Sequence, residues 1–284
     1  MIGSLLVLAA ALTFTPEDAQ IAYESAKGLV EKHTPRDAGT LAACRAANYI
    51  LDTASAYGAD VRRDSFMTET PFGQKRMMNL ECSFVADPKL PWLVFVSHYD
   101  TKPGINCPGA NDGASTTGLL IALARALFRN QPQKGNILLL WTDGEECIQS
   151  YTENDGLWGA RHAAAKYKNE GKDIRAVFCL DMLGDKDLQI TVPANGTPKL
   201  RQIVERMSKK IGLKNVMLSK DVVIDDHVPF LDAGFRAVDL IDFKYEGPEG
   251  TYWHTPQDTM EQVSADSLLK AGQLVVALIN GFYR

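Results

Sequence analysis

Leu93-Val94-Phe95-Val96-Ser97-His98-Tyr99-Asp100 carries both the fold and the chemistry of this chain. Its first half is wholly apolar and shows no alternation, as a strand buried on both faces requires. Its second half turns abruptly polar. The same arrangement recurs twice. Ile137-Leu138-Leu139-Leu140-Trp141 runs into Thr142-Asp143-Gly144-Glu145-Glu146, and Ala176-Val177-Phe178-Cys179-Leu180 runs into Asp181. Between the first two runs, Leu119, Leu120, Leu123, Ala124 and Leu127 recur at helical spacing over 115–130. Another helical pattern covers about 159–170. Buried strands alternating with helices imply crossover units. The expected fold is α/β: three layers, α/β/α, around a central, mostly parallel mixed sheet.

Outward from this centre, Thr15-Pro16-Glu17-Asp18 reads as a helix start, with Thr15 as cap, Pro16 first and acids in the first turn. That helix should run to about 31 and a second over about 38–57. Strands are expected at 61–68 and 76–85, a helix at 198–211, a strand at 237–241 and a closing helix at 265–282. No repeat, low-complexity tract or Ser/Gly linker interrupts the pattern, so residues 15–284 read as one domain. Residues 1–14 hold an apolar, signal-like segment, Leu5 to Leu12, without a preceding Lys or Arg. A secretory signal there would make the protein periplasmic or secreted; an ordinary apolar N-terminal segment is the equal alternative.

The 284 residues are 45% hydrophobic and 23% charged, with 22 Gly and 13 Pro, which excludes disordered, collagen-like and coiled-coil chains. A net charge of −5 gives no basic footprint for nucleic acid. No apolar run approaches the roughly 18 residues that span a bilayer. The five cysteines (Cys44, Cys82, Cys107, Cys147, Cys179) lack CxxC spacing, which argues against a disulfide framework and a cysteine-rich zinc site.

In open α/β sheets, sites form beyond the carboxyl ends of the strands. There the runs deliver His98, Glu145, Glu146 and Asp181. Gly109-Ala110-Asn111-Asp112-Gly113, ahead of a helix, and Tyr252-Trp253-His254-Thr255, after the last strand, add Asp112 and His254. Taken singly, Asp112 reads more readily as a helix cap, His98 as a hydrogen-bonded histidine and Asp181 as a turn cap. The Glu145–Glu146 pair resists such readings, because adjacent carboxylates at the end of a buried strand repel unless a proton or cation intervenes. Two histidines and four acids together point to a divalent metal in an open, catalytic site, with zinc favoured by the donor types. One glutamate can bind the metal while its neighbour moves protons. Chemistry gives the pair and not the order; Glu146 is assigned to the metal and Glu145 to proton transfer.

At these residues the sequence resembles metallopeptidase family M28 and, within that superfamily, the glutaminyl-peptide cyclotransferases. The motifs run in order from about Thr70: Thr70-Pro71-Phe72-Gly73, His98-Tyr99-Asp100, Ala110-Asn111-Asp112, Asp143-Gly144-Glu145-Glu146, Leu180-Asp181-Met182-Leu183-Gly184, Asp225-Asp226-His227-Val228-Pro229-Phe230-Leu231 and Trp253-His254-Thr255. The resemblance implies a zinc-exopeptidase-like (phosphorylase/hydrolase-like) catalytic domain with ligand positions at His98, Asp112, Glu146, Asp181 and His254. An aminopeptidase of this family would hold two zinc ions bridged by Asp112, with His98 and Asp181 serving the second. A cyclase would hold one, on Asp112, Glu146 and His254. Glu145 would then shuttle a proton while Asp181 and Asp225 support it through hydrogen bonds.

The segments at 224–231 and 154–164, and Trp253 directly before His254, are closer to the cyclases. Three positions depart: Tyr151 stands where animal cyclases carry Trp, Asp239 where they carry His, and Asp258-Thr259 reads more like a peptidase. The resemblance therefore implies conversion of a peptide's N-terminal glutamine to pyroglutamate with loss of ammonia, with removal of N-terminal residues by a two-zinc aminopeptidase as the alternative. Trp253 and Tyr151 are candidates for an apolar wall around the substrate side chain, or equally for ordinary aromatic packing. A catalytically dead binding module on the same fold would have lost a ligand or Glu145, and none is lost.

Overall fold

Each side chain of the apolar runs has an apolar layer to meet. In a computed structural model that describes residues 11–130, 132, 134–248 and 250–283, strands β3 (Trp92–His98), β4 (Asn136–Thr142) and β5 (Ile174–Asp181) lie together, with β3 central and parallel to both neighbours. Leu93 and Phe95 face one layer while Val94 and Val96 face the other. The first layer comprises α1 (Pro16–His33), α2 (Leu41–Ala56), α3 (Thr116–Arg129), α5 (Pro198–Lys210) and α7 (Ala265–Tyr283). The second comprises α4 (Trp158–Asn169) and α6 (His227–Asp232), which contribute Ala160, Ala163, Ala164, Tyr167 and Phe230. Burial of each Val, Leu or Phe contributes about 1.5–3 kcal/mol, so the middle stretches of these three strands are apolar on both faces.

The sheet is completed by β1 (Val61–Thr70), β2 (Gly73–Phe84), β6 (Ile190–Val192), β7 (Val216–Leu218) and β8 (Ala237–Ile241). Its order is β1-β2-β4-β3-β5-β8-β6-β7. β1 and β2 form an antiparallel hairpin, and β2 is antiparallel to β4. β8 is parallel to β5, β6 antiparallel to β8, and β7 parallel to β6. The expected three-layer fold and mostly parallel mixed sheet are therefore present. A separate small hairpin pairs β9 (Glu246–Gly247) with β10 (Gly250–Thr251).

The start of α1 follows the expected capping chemistry. Asp18 N–H donates to Thr15 Oγ1 at 3.3 Å while Thr15 N–H donates to Asp18 Oδ2 at 2.9 Å. Asp18 also accepts from Arg125 at 2.6 Å and Arg129 at 2.8 Å, which ties α1 to α3. Just upstream, Leu12 and Phe14 are buried in the main core, and the Phe14 ring lies against Gly272 of α7, where a Cβ would sit 2.3 Å from it. Residues 1–10 of the signal-like segment lie outside the described residues. Among the described residues, no helix is long and apolar enough to cross a membrane. All five cysteines are free.

Candidate metal centre and active site

Parallel strands put their carboxyl ends on one edge, and the polar residues gather there. β3 ends at His98 and β5 at Asp181; Glu145 and Glu146 follow β4. Asp112 comes from a tight turn at Ala110–Ser115, and His254 from the loop after β10. His98 Nε2 lies 3.1 Å from Asp112 Oδ1 and 3.2 Å from Asp181 Oδ1. His254 Nε2 lies 2.9 Å from Glu146 Oε1 and 3.3 Å from Asp112 Oδ2. Asp112 thus turns one oxygen toward each histidine. Two donor triads result, His98–Asp112–Asp181 and Asp112–Glu146–His254, with Asp112 common to both.

These spacings suit zinc. Donors about 2.0–2.2 Å from a tetrahedral ion stand roughly 3.3–3.6 Å from one another, a little wider than the 2.9–3.3 Å found here. Glu146 Oε2 is buried without a hydrogen-bond partner, although Lys102 Nζ approaches it at 3.6 Å. The five ligand positions anticipated from sequence therefore converge.

The electrostatics ask for positive charge. Burial pushes the Glu145 carboxyl well above its usual range, and the charges of Glu146 and Asp225 add to this. Burial, then Asp112, raises Glu146. Asp181 is pushed up to about 7 by burial, against the hydrogen bond from His98. Asp112 is held low: burial would raise it, but hydrogen bonds to His254 and His98 prevail. For His254, burial acts downward, yet Asp112 and Glu146 raise it to about 9. A divalent cation would relieve this crowding of carboxylates.

Backbone geometry explains how these groups are held. Asp112 adopts φ −78° and ψ 98°, and Gly113 adopts φ 88°. A Cβ on Gly113 would lie 2.9 Å from His98 Cε1, so glycine permits both the turn and the close approach of the ring. The helix begins only at Thr116, and the Asp112 side chain does not cap it, which disposes of the cap reading. His254 sits at φ 56° with its ring stacked on Trp253 at 4.0 Å, a left-handed conformation that is costly for a non-glycine residue.

Several residues act one step behind the donors. Asp100, in the opening stretch, joins neither triad. Instead its two oxygens accept the N–H groups of Glu145 at 3.1 Å and Glu146 at 3.2 Å. Asp258 accepts from the N–H groups of Asn111 at 2.7 Å and Asp112 at 3.2 Å, and from Tyr245 Oη at 2.7 Å. Arg36, fully buried, donates through Nε, Nη1 and Nη2 to the carbonyls of Tyr99, Pro108 and Gly109 at 2.6, 2.8 and 2.6 Å. Asp226 accepts a hydrogen bond from Thr142 Oγ1.

Sequence reasoning missed Arg36 and the roles of Asp100 and Asp258. Their signal is a set of backbone partners remote in the chain, which no local pattern discloses. Asp100→Ala should lower both zinc content and turnover, since each glutamate loses its backbone anchor. Elemental analysis alongside steady-state assay checks this, and unchanged zinc content would contradict it.

Glu145 lies outside both triads, beside Glu146. Tyr151 Oη donates to Glu145 Oε1 at 2.9 Å. Both residues line a cavity of about 590 Å³ together with Trp253, Asp225 and the Asp112–Glu146–His254 set. Asp225 Oδ1 accepts from Cys179 Sγ at 3.3 Å, and Asp239 stands beside them, fully buried. All the substrate-facing candidates thus share one cavity.

With this geometry in hand, likeness to known proteins becomes informative. The sequence model of Peptidase family M28 matches residues 85–279. A crystal structure of an Acidobacteriales bacterium glutaminyl cyclase superposes with a TM-score of 0.87 at 34% identity, over 100% of this chain and 99% of that one. The glutaminyl-peptide cyclotransferase of Drosophila melanogaster is 28% identical over 79% of this chain and 70% of its own length. Aminopeptidase YwaD of Bacillus subtilis is 31% identical over 67% of this chain, but over only 41% of its own length. The ordered motifs, the fold that gathers them and the match over most of the length have one reading: this chain belongs to peptidase family M28.

Proposed function

We propose that this chain is a glutaminyl-peptide cyclotransferase, that residues 15–284 form its single catalytic domain, and that it uses one zinc ion held by Asp112, Glu146 and His254. The observation that carries the reading is Glu145, a buried carboxylate outside both donor triads, next to a metal ligand and facing the cavity. Likeness at 34% identity to a bacterial glutaminyl cyclase over the whole chain supports it.

Zinc bound at this triad would supply Lewis acidity toward the γ-amide carbonyl of an N-terminal glutamine. The nucleophile and the electrophile belong to one residue, so the protein need only hold the rotamer that brings the α-amine to the γ-carbon. Tyr151 engages Glu145 Oε1, which leaves Oε2 to take a proton from the amine and return it to the departing nitrogen. Carbon–nitrogen bond formation closes the lactam ring, the γ-amide nitrogen leaves as ammonia, and the products are a pyroglutamyl peptide and ammonia. Trp253 and Tyr151 would wall the glutamine side chain. Asp181 and Asp225, which also line the cavity, would hold Glu145 and the substrate amine through hydrogen bonds.

A second reading is favoured by the His98–Asp112–Asp181 triad. Two ions sharing Asp112, with Glu145 as base for water, would make an aminopeptidase. Zinc-loaded protein incubated with Gln- and Leu-initiated peptides separates the two. Ammonia and a pyroglutamyl product from the Gln-peptide are expected; free leucine without cyclisation would reverse the order.

A further inference from the structure

Glu146 faces a basic side chain through each of its oxygens. Oε1 lies 2.9 Å from His254 Nε2, within the donor triad, while Oε2 is turned to Lys102 Nζ at 3.6 Å. Oε2 is buried and has no hydrogen-bond partner, so the ammonium is what meets its charge. Both side chains are shielded, Glu146 at 2% exposure and Lys102 at 17%.

Lys102 is firmly placed. Its Nζ donates to Cys147 O at 2.7 Å and stands 3.1 Å from Cys147 Sγ. The stretch that carries it out of β3 is held residue by residue. Arg36 Nε donates to Tyr99 O at 2.6 Å, and Asp100 accepts the N–H groups of Glu145 and Glu146. Thr101 Oγ1 accepts from Arg36 N–H at 3.0 Å and donates to Asp37 Oδ1 at 3.1 Å. The exit of β3 therefore grips residues 145–147 by both polarities. A carboxylate takes two amides, and an ammonium takes the next carbonyl.

The contact to Oε2 matters because a carboxylate can bind a metal ion through one oxygen or through both. Catalytic zinc takes three protein donors and keeps a fourth position for water or substrate. A second oxygen from Glu146 would fill that position. We propose that the Lys102 ammonium engages Oε2, restricts Glu146 to a one-oxygen ligand and so keeps the substrate's place on the metal open. Lys102 does not line the cavity, so it acts through Glu146 as a positioning residue. The inference rests on the metal site of the proposed function and adds what holds that site open.

The sign of the expected effect sets this role apart from simple bracing. Removing a group that only orients a ligand costs about 10–100-fold in metal affinity. Removing Lys102 takes away a like charge and frees a chelating oxygen, so affinity should stay within about threefold of the parent or rise. The test compares the full chain with K102M and K102Q, each loaded with cobalt(II) or zinc. Methionine keeps the stem without the charge; glutamine also keeps donors for the Cys147 carbonyl, and it carries the test if K102M does not fold. The parent should show the strong visible bands of four-coordinate cobalt, and both variants the weaker bands of five-coordinate cobalt. Their kcat/KM for ammonia release from a Gln-peptide should fall about 10–100-fold. Cobalt bands alike in parent and variants would overturn the inference, as would a loss of metal affinity beyond about tenfold. Parent-like behaviour of K102Q would also overturn it, because the Cys147 contact would then suffice. The spectra need no peptide. A parent that releases no ammonia from any Gln-peptide would overturn the cyclotransferase reading alone.

Discussion

Glu145→Gln should lower kcat by about 10²–10⁴-fold, the usual contribution of a positioned acid–base group, with zinc content unchanged. The substitution preserves shape, and the amide oxygen can still accept from Tyr151 Oη, now 2.9 Å from Oε1. Neither donor triad includes residue 145, so the metal has no reason to leave. The adjacent Glu146→Gln provides the contrast: its Oε1 faces His254 Nε2 at 2.9 Å, so metal should be lost together with activity. The pair of variants therefore orders two neighbouring glutamates that chemistry alone left interchangeable. Elemental analysis and a coupled ammonia assay on the same preparations give the answer. Near-normal turnover in Glu145→Gln would remove it from proton transfer.

His254→Ala should cost more than 100-fold in zinc affinity, because reorienting a ligand through a mere neighbour already costs about 10–100-fold. His254 supplies the nitrogen donor of its triad; the other two donors are carboxylates. A competition titration against a chromogenic chelator measures the change, with circular dichroism confirming that the sheet persists. The left-handed backbone at this position, φ 56°, accompanies that ring's approach to Glu146 and Asp112, and alanine keeps the strain without the nitrogen donor. Zinc binding unchanged from the parent would exclude residue 254 as a ligand.

Much of this arrangement was legible in the sequence because burial on both faces leaves a composition signature. The runs at 93–96, 137–141 and 176–180 became β3, β4 and β5, and each delivered its polar residue to the same edge. The Thr15-Pro16 start was legible for a local reason, since the cap and its partner lie three residues apart. Short elements gave no period to detect. β6 and β7 have three residues each, and α6 has six with a proline inside. Asp112, read alone, looked like a cap; its neighbourhood of His98 and His254, 14 and 142 positions away, is a tertiary fact. Asp258, which marked a departure toward the peptidases, proved to be the acceptor that holds the backbone of Asn111 and Asp112. Asp100 similarly holds Glu145 and Glu146 through their backbone, a use of carboxylate that no motif spells out.

Arg36 bears on where this protein can be cut. The match to the family's sequence model starts at residue 85, and every donor atom lies beyond it. Yet the guanidinium that fans out to three carbonyls between Tyr99 and Gly109 comes from the connection between α1 and α2. A fragment trimmed to residues 85–279 would retain every candidate donor and lose the strut beneath them. Lysine at position 36 could not replace it, since one ammonium lacks the planar span to reach all three oxygens. The span of the sequence model and the span that braces the donor loops are therefore different lines on this chain.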